Sequence, residues 1–338
     1  KIKQLAGIII PALVFVIVTV TGIYVNNLTD KKTDTLGLFG EKTSEITQTP
    51  LTDYIGLIRI EGTIMSEESG ASVLGYSSGY SHKKVMSDIE MYMNDSMNKG
   101  IALYINSPGG VVYDVDELYL KLKEYKDTTG RPVYAYFGQY ACSGGYYAAM
   151  AADKIYANRN SVTGSIGVIL SLYDMTELYE KIGIKEIDIV SGGNKAMGSS
   201  GVSLTEEQKA IYQSQVDESF EQFTGIVSEG RNMSIDEVKA LADGRTYTAN
   251  QALSNGLIDG ICLYEEFEDT IKNEMGGSIT IYENKSDSLS GLYDWLFKAA
   301  AKVTNAEKNT EYEETIEKLK SLRRSGNGVL MYYAEQLQ

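Results

Sequence analysis

Chemistry is concentrated first in Gln139-Tyr140-Ala141-Cys142-Ser143-Gly144-Gly145-Tyr146-Tyr147-Ala148-Ala149. An apolar, strand-like run from Pro132 to Phe137 precedes it, and a small-residue run that reads as a helix follows. A serine at such a step can project its hydroxyl while the next backbone N–H groups point forward, the arrangement that acyl transfer requires. The structural alternative is a helix cap, the commoner use of serine at this position. The two glycines speak against a cap alone, because each costs about 1 kcal/mol of helix stability relative to alanine. They also allow another backbone to come close.

A serine nucleophile needs a base. The chain has one histidine, His82, in a Gly/Ser/Tyr stretch, where it is expected to be a solvated loop residue outside any catalytic role. The alternative is a lysine kept neutral by desolvation and by distance from carboxylates. Lys195 fits, within Ser191-Gly192-Gly193-Asn194-Lys195-Ala196-Met197-Gly198. No acidic residue occurs from Ile189 through Thr205, 17 positions in a chain where 46 of 338 residues are acidic. The same holds from Thr128 through Ala152, around Ser143. A flexible glycine loop with an ordinary surface lysine is the competing reading.

An oxyanion needs backbone donors. Gly109-Gly110, after an apolar strand, can supply one and Gly144 another, although Ser107-Pro108-Gly109-Gly110 also suits a type II turn. Cys142 is intrinsically the better nucleophile. Without a histidine to form its thiolate, it is expected to be packed.

The elements that must position these groups alternate. Strands are expected at Tyr54–Ile60, Ile101–Ile105, Val133–Phe137 and Lys154–Ala157, with further strands in Ser161–Leu172 and Lys185–Val190. Helices are expected at Lys84–Met97, Val112–Tyr125, after Ser143, at Thr205–Glu229 and at Ser234–Ala242. Ala249–Ile261 reads as helix, turn and strand. Strands apolar on both faces and alternating with helices mean a parallel sheet covered by helices, an α/β fold.

Composition bounds the rest. A formal charge of −15 argues against nucleic acid as a partner. Two isolated cysteines, Cys142 and Cys262, make no disulfide framework and no metal-binding spacing, so no metal or cofactor is expected. Leu5 to Val25 is an uncharged run of 21 residues, long enough to cross a bilayer as a helix. No small-x-small cleavage site follows it, which favours an uncleaved anchor over a signal peptide. Residues 1–25 are thus expected to be a membrane anchor and 26–53 a polar tether. Residues 54–284 form the catalytic domain and 285–338 a C-terminal extension. Lysines flank both ends of the apolar run, so charge alone nearly balances. The expected orientation places the N-terminus in the cytoplasm and the bulk of the chain outside.

Four motifs occur in order: Asn106-Ser107-Pro108-Gly109-Gly110, Ala141-Cys142-Ser143-Gly144-Gly145-Tyr146-Tyr147, Thr163-Gly164-Ser165-Ile166-Gly167 and Gly193-Asn194-Lys195-Ala196-Met197-Gly198. Together they resemble bacterial signal peptide peptidase A in its short, single-domain form. The resemblance implies a Clp-protease/crotonase-like fold of repeated β-β-α units and a membrane-anchored serine endopeptidase acting on signal-peptide remnants. It implies Ser143 as nucleophile, Lys195 as general base, Ser165 orienting the lysine amine, and Gly110 and Gly144 as the oxyanion hole. It also implies a homo-octameric ring in which neighbouring subunits can share the dyad. Two other readings are a crotonase-like acyl-CoA enzyme, disfavoured by the acid-poor stretches, and a non-catalytic membrane scaffold. Leu330 to Ala334 is extended and apolar like a substrate strand. It would either occupy the cleft or simply add to a sheet or an oligomer interface.

Overall fold

The computed structural model describes residues 49–66, 79–284 and 331–333. The expected membrane anchor, most of the tether and residues 285–330 and 334–338 of the C-terminal extension lie outside the described residues. Among the described residues, no helix is long and apolar enough to cross a membrane.

The first half alternates β1 (Tyr54–Glu61), α1 (His82–Asn94), β2 (Asn98–Ser107), β3 (Gly109–Val111), α2 (Val112–Thr129), β4 (Val133–Cys142) and α3 (Gly144–Ala149). There follow β5 (Lys154–Ala157), β6 (Val162–Gly164), α4 (Thr176–Ile182), α5 (Glu206–Arg231), α6 (Ile235–Leu241), β7 (Thr246–Thr248) and α7 (Ala249–Ser254). Then come β8 (Gly260–Ile261), α8 (Tyr264–Glu274), β9 (Thr280–Glu283) and, at the far end, β10 (Met331–Tyr333).

The main sheet runs β7-β6-β4-β2-β1-β9, with β5 pairing to β4 and β8 to β5. Every pairing in it is parallel except β6 with β7. The central strands are buried because they are apolar on both faces: Ile101, Ala102, Leu103 and Ile105 of β2 and Ala135 and Phe137 of β4 are fully enclosed. Burying each large aliphatic or aromatic side chain contributes roughly 1.5–3 kcal/mol. One face packs on α1, α2, α3 and α5 through a core that includes Ile89, Leu118, Tyr146 and Phe223. The other packs on α8 through Phe267 and Ile271. This parallel-rich α/β architecture fits a Clp-protease-like fold.

Thr205 caps α5 by accepting from Gln208 N, and the Gln208 side chain accepts from Thr205 N in return, so the start predicted at Thr205 holds. One expected strand does not form and another is cut short. Lys185–Val190 has no strand partner, and Ile187 and Ile189 stand 79% and 98% exposed. Ser161–Leu172 yields only the three residues of β6. Apolar content made both read as strands, but a strand needs a neighbour to satisfy its backbone.

Candidate active site

Ser143 stands at the junction of β4 and α3. β4 runs in register beside β2 and β6, and Ser143 N donates to Gly164 O at 2.7 Å, which fixes the end of the strand. The backbone then turns with φ 51° and ψ −115°, a conformation that a non-glycine residue occupies only under strain. Tyr147 N closes the first turn of α3 on Ser143 O at 2.9 Å. Ser143 is 1% exposed, and its Oγ has no hydrogen-bond partner among the described residues. A buried hydroxyl left without a partner is destabilising for a structural cap, and the side chain makes no capping bond.

Gly110 and Gly144 converge beside it. Gly109 turns the chain out of β2 at φ +112°, and its N–H donates to Ser107 Oγ at 3.1 Å. A Cβ on Gly144 would lie 3.1 Å from Gly110 N and 2.6 Å from Val115 Cγ2, so only glycine lets these backbones meet. Ser165 also arrives here. Gly164 pairs with Cys142 across β6 and β4, so Ser143 and Ser165 each follow directly on the last residue of two adjacent strands. Ser165 is buried, has φ 48°, and its N–H donates to Arg245 O at 2.8 Å.

A further strand, β10, lies against these residues. β10 adds antiparallel to β3, with Tyr332 opposite Gly110. The Tyr332 carbonyl oxygen would lie 3.1 Å from a Cβ on Gly144, next to Gly110 N, and would collide with a Cβ on Gly109. Its ring is fully buried, stacked on Tyr147 at 4.8 Å and tilted against Phe223 at 4.8 Å. Tyr332 Oη donates to Ser219 O at 3.1 Å, and Tyr147 Oη donates to Asp116 Oδ1 at 2.5 Å. Of the two placements expected for this apolar segment, residues 331–333 take the second, adding as a strand to β3. The aromatic pocket had no sequence signal, because its walls come from α3 and α5, some 75 residues apart.

Lys195 is not part of this cluster. It lies in a turn closed by Lys195 N donating to Gly192 O at 3.0 Å, with its side chain exposed. Among the described residues nothing hydrogen-bonds or pairs with its amine. Within one chain, therefore, the backbones of Ser143, Gly144 and Gly110 meet, with Ser165 directly after the residue that Ser143 N bonds, while the Lys195 amine is exposed and makes no hydrogen bond to them.

The profile of peptidase family S49 matches residues 125–276, the span that holds Ser143, Ser165 and Lys195. Over 267 residues the chain is 34% identical to a putative signal peptide peptidase SppA of Enterococcus faecium, covering 79% of this chain and 77% of that one. The chain belongs to peptidase family S49. It is 32% identical over 212 residues to protease 4 of Haemophilus influenzae, covering 63% of this chain and 33% of that one. It is 31% identical over 229 residues to the chloroplastic serine protease SPPA of Arabidopsis thaliana, covering 67% and 32%. The chain thus spans about a third of each of those two proteins. It is a serine-type peptidase.

Two neighbours complete the picture of this S49 peptidase. Cys142 is fully buried and unpaired, as expected, and burial pushes its thiol up to about 12, so it carries no thiolate at neutral pH. His82 corrects the expectation of a solvated loop residue. It opens α1, is 6% exposed, and is held by Tyr80 and Glu117. The flanking glycines and serines signalled solvent, whereas the burying partners Tyr80 and Glu117 cannot be read from that composition.

Proposed function

We propose that this S49 peptidase is held at the cell membrane by residues 5–25 and cleaves signal-peptide remnants there, with its catalytic domain outside the cytoplasm. Ser143 attacks the scissile carbonyl while Lys195 takes its proton, and Ser165 orients the lysine amine. The N–H groups of Gly110 and Gly144 receive the developing oxyanion. Collapse of the tetrahedral intermediate breaks the C–N bond, and the leaving amine takes the proton from Lys195. Water, activated by the same lysine, then releases the acyl group from Ser143.

The observation that carries this reading is the position of Tyr332. An extended segment lies along β3 with a carbonyl oxygen beside Gly110 N and Gly144, adjacent to the partnerless Ser143 hydroxyl. Addition of an extended peptide to a sheet edge is a general mode of peptide recognition. The test is a serine-reactive phosphonate or lactam whose adduct is mapped by mass. Labelling at Ser143 is expected, and labelling elsewhere would overturn the reading.

The exposure of Lys195, whose amine has no partner among the described residues, supports a dyad shared between subunits. Lys195 sits on an arm carrying exposed Ile182, Ile184, Ile187 and Val202, an apolar surface of the kind that subunit contacts cover. Assembly, a ring of eight by the resemblance, would bring Lys195 of one chain to Ser143 of the next. The same Tyr332 geometry supports a second role, in which the C-terminal segment is a product-like occupant that peptide substrates must displace.

A further inference from the structure

His82, Asp114 and Glu117 meet at the start of α2, each offering a donor atom within 4.8 Å of the other two. Asp114 and Glu117 are three apart on α2 and so share one face, and His82 reaches them from the start of α1. Tyr80 Oη lies 2.6 Å from His82 Nδ1, and His82 Nε2 lies 2.8 Å from Glu117 Oε2. Tyr80 is itself buried, so its hydroxyl holds the ring from the interior side. A hydroxyl on Nδ1 fixes the ring and turns Nε2 toward the carboxylates, as the supporting hydrogen bond of a metal-binding imidazole does.

The His82–Glu117 contact alone could be an ordinary hydrogen bond. Asp114 is what that account leaves over. It is 3% exposed, Oδ2 accepts from Ser66 N at 2.9 Å, and Oδ1 has no partner among the described residues. A buried carboxylate oxygen without a donor is strongly destabilising unless a cation faces it. A surface hollow of about 620 Å³, lined by His82, Met86, Glu117 and Lys121 among others, gives an ion a way in. Lys121 is already paired with Glu124.

We infer that His82, Asp114 and Glu117 form a binding site for one divalent transition-metal ion of the Zn²⁺ class, completed by solvent. One imidazole and two carboxylates suit Zn²⁺, whereas Mg²⁺ and Ca²⁺ prefer oxygen-only shells. The two carboxylates offset the charge of the ion. The half-exposed Glu117 has room to open its contact with His82 and admit the ion. The site does not touch Ser143. It ties Ser66 to α2 just behind the cleft wall, where Ile64 N donates to Gly109 O and Val111 N donates to Ile64 O, both at 2.9 Å. An ion there stiffens the strand that carries Gly110.

The test uses the full chain, stripped with chelator and titrated with Zn²⁺ or Mg²⁺, with calorimetry and the imidazole NMR signals as readouts. Because the chain has a single histidine, any imidazole signal reports His82. One equivalent of Zn²⁺ is expected to shift that signal and raise the melting temperature, with equimolar Mg²⁺ leaving the signal in place. Asp114→Asn and Glu117→Gln should each weaken Zn²⁺ at least about tenfold. Glu117→Gln, at a half-exposed position, keeps the test intact if Asp114→Asn does not fold. An unmoved His82 signal, a preference for Mg²⁺, or unchanged affinity in Glu117→Gln would overturn the site.

Discussion

Tyr332 lies opposite Gly110 in antiparallel register, with its carbonyl oxygen beside Gly144 and its ring closed in by Tyr147 and Phe223. A segment so placed competes with any peptide that must use the same edge of β3. Tethered to the chain, it competes at an effective concentration on the order of millimolar. Deleting the residues after Gly328 should therefore lower KM for a short peptide several-fold while leaving kcat nearly unchanged. Steady-state kinetics of the truncated and full chains decide it, and identical KM values would sink the occupant role.

Ser143 and Lys195 can be tested separately and together. Ser143→Ala and Lys195→Ala should each reduce peptide cleavage at least about a thousandfold with circular dichroism and oligomer mass unchanged. Lys195→Arg should fail as well, since a guanidinium keeps its proton and cannot act as base. Mixed assemblies of the two alanine chains should recover part of the activity, because some interfaces would pair an intact Ser143 with an intact Lys195. Substantial activity in either variant alone would reject the dyad.

Gly144 tests the oxyanion hole without touching the nucleophile. A Cβ there would lie 2.6 Å from Val115 Cγ2 and 3.1 Å from Gly110 N, pushing apart the two backbones that supply the donors. Gly144→Ala should fold and lower kcat by about a hundredfold, the usual loss when one oxyanion donor is misplaced. A variant with wild-type kcat would remove Gly144 from the hole.

The parts of the site legible in the sequence are those fixed by local pattern. The apolar run into Cys142 marks β4, the glycines after Ser143 mark a close approach, and the Ser-Pro-Gly-Gly turn marks the entry to β3. What depends on distant partners was not legible. His82 is buried by Tyr80 and by Glu117, 35 residues away, against the hydrophilic look of its own neighbours. Residues 185–190 have strand-like composition and no strand to pair with, because hydropathy cannot distinguish a sheet strand from an apolar arm exposed on a single chain.

Cys142 adjoins Ser143 and is the obvious rival nucleophile. Its burial pushes the thiol up to about 12, so the reactive thiolate is scarce below pH 9. Iodoacetamide should leave Cys142 unmodified in the folded enzyme at pH 8, and Cys142→Ala should retain most of the peptidase activity. Peptide mapping after alkylation checks the first outcome. Loss of activity in parallel with Cys142 modification would assign it a catalytic role.

Arg231 and Asp259 fasten the end of α5 to β5. Arg231 Nη2 donates to Asp259 Oδ1 at 2.7 Å and Nη1 to Oδ2 at 3.0 Å, while Ile155 N donates to Oδ2 at 2.7 Å. Burial alone would raise the Asp259 carboxyl, but the Arg231 hydrogen bonds, the Ile155 N–H and the Arg231 charge outweigh it and hold the pKa below the ordinary value. A carboxyl depressed on folding adds stability above its unfolded pKa of about 3.9 and loses it as the pH falls through the folded value. The Asp259 side chain is 36% exposed, so screening limits the contribution and Asp259→Asn should cost about 1–2 kcal/mol at pH 7. Denaturant unfolding of both chains should show the gap narrowing below about pH 4. A gap that stays constant from pH 7 to pH 3 would mean that the carboxylate charge contributes nothing to holding α5 in place.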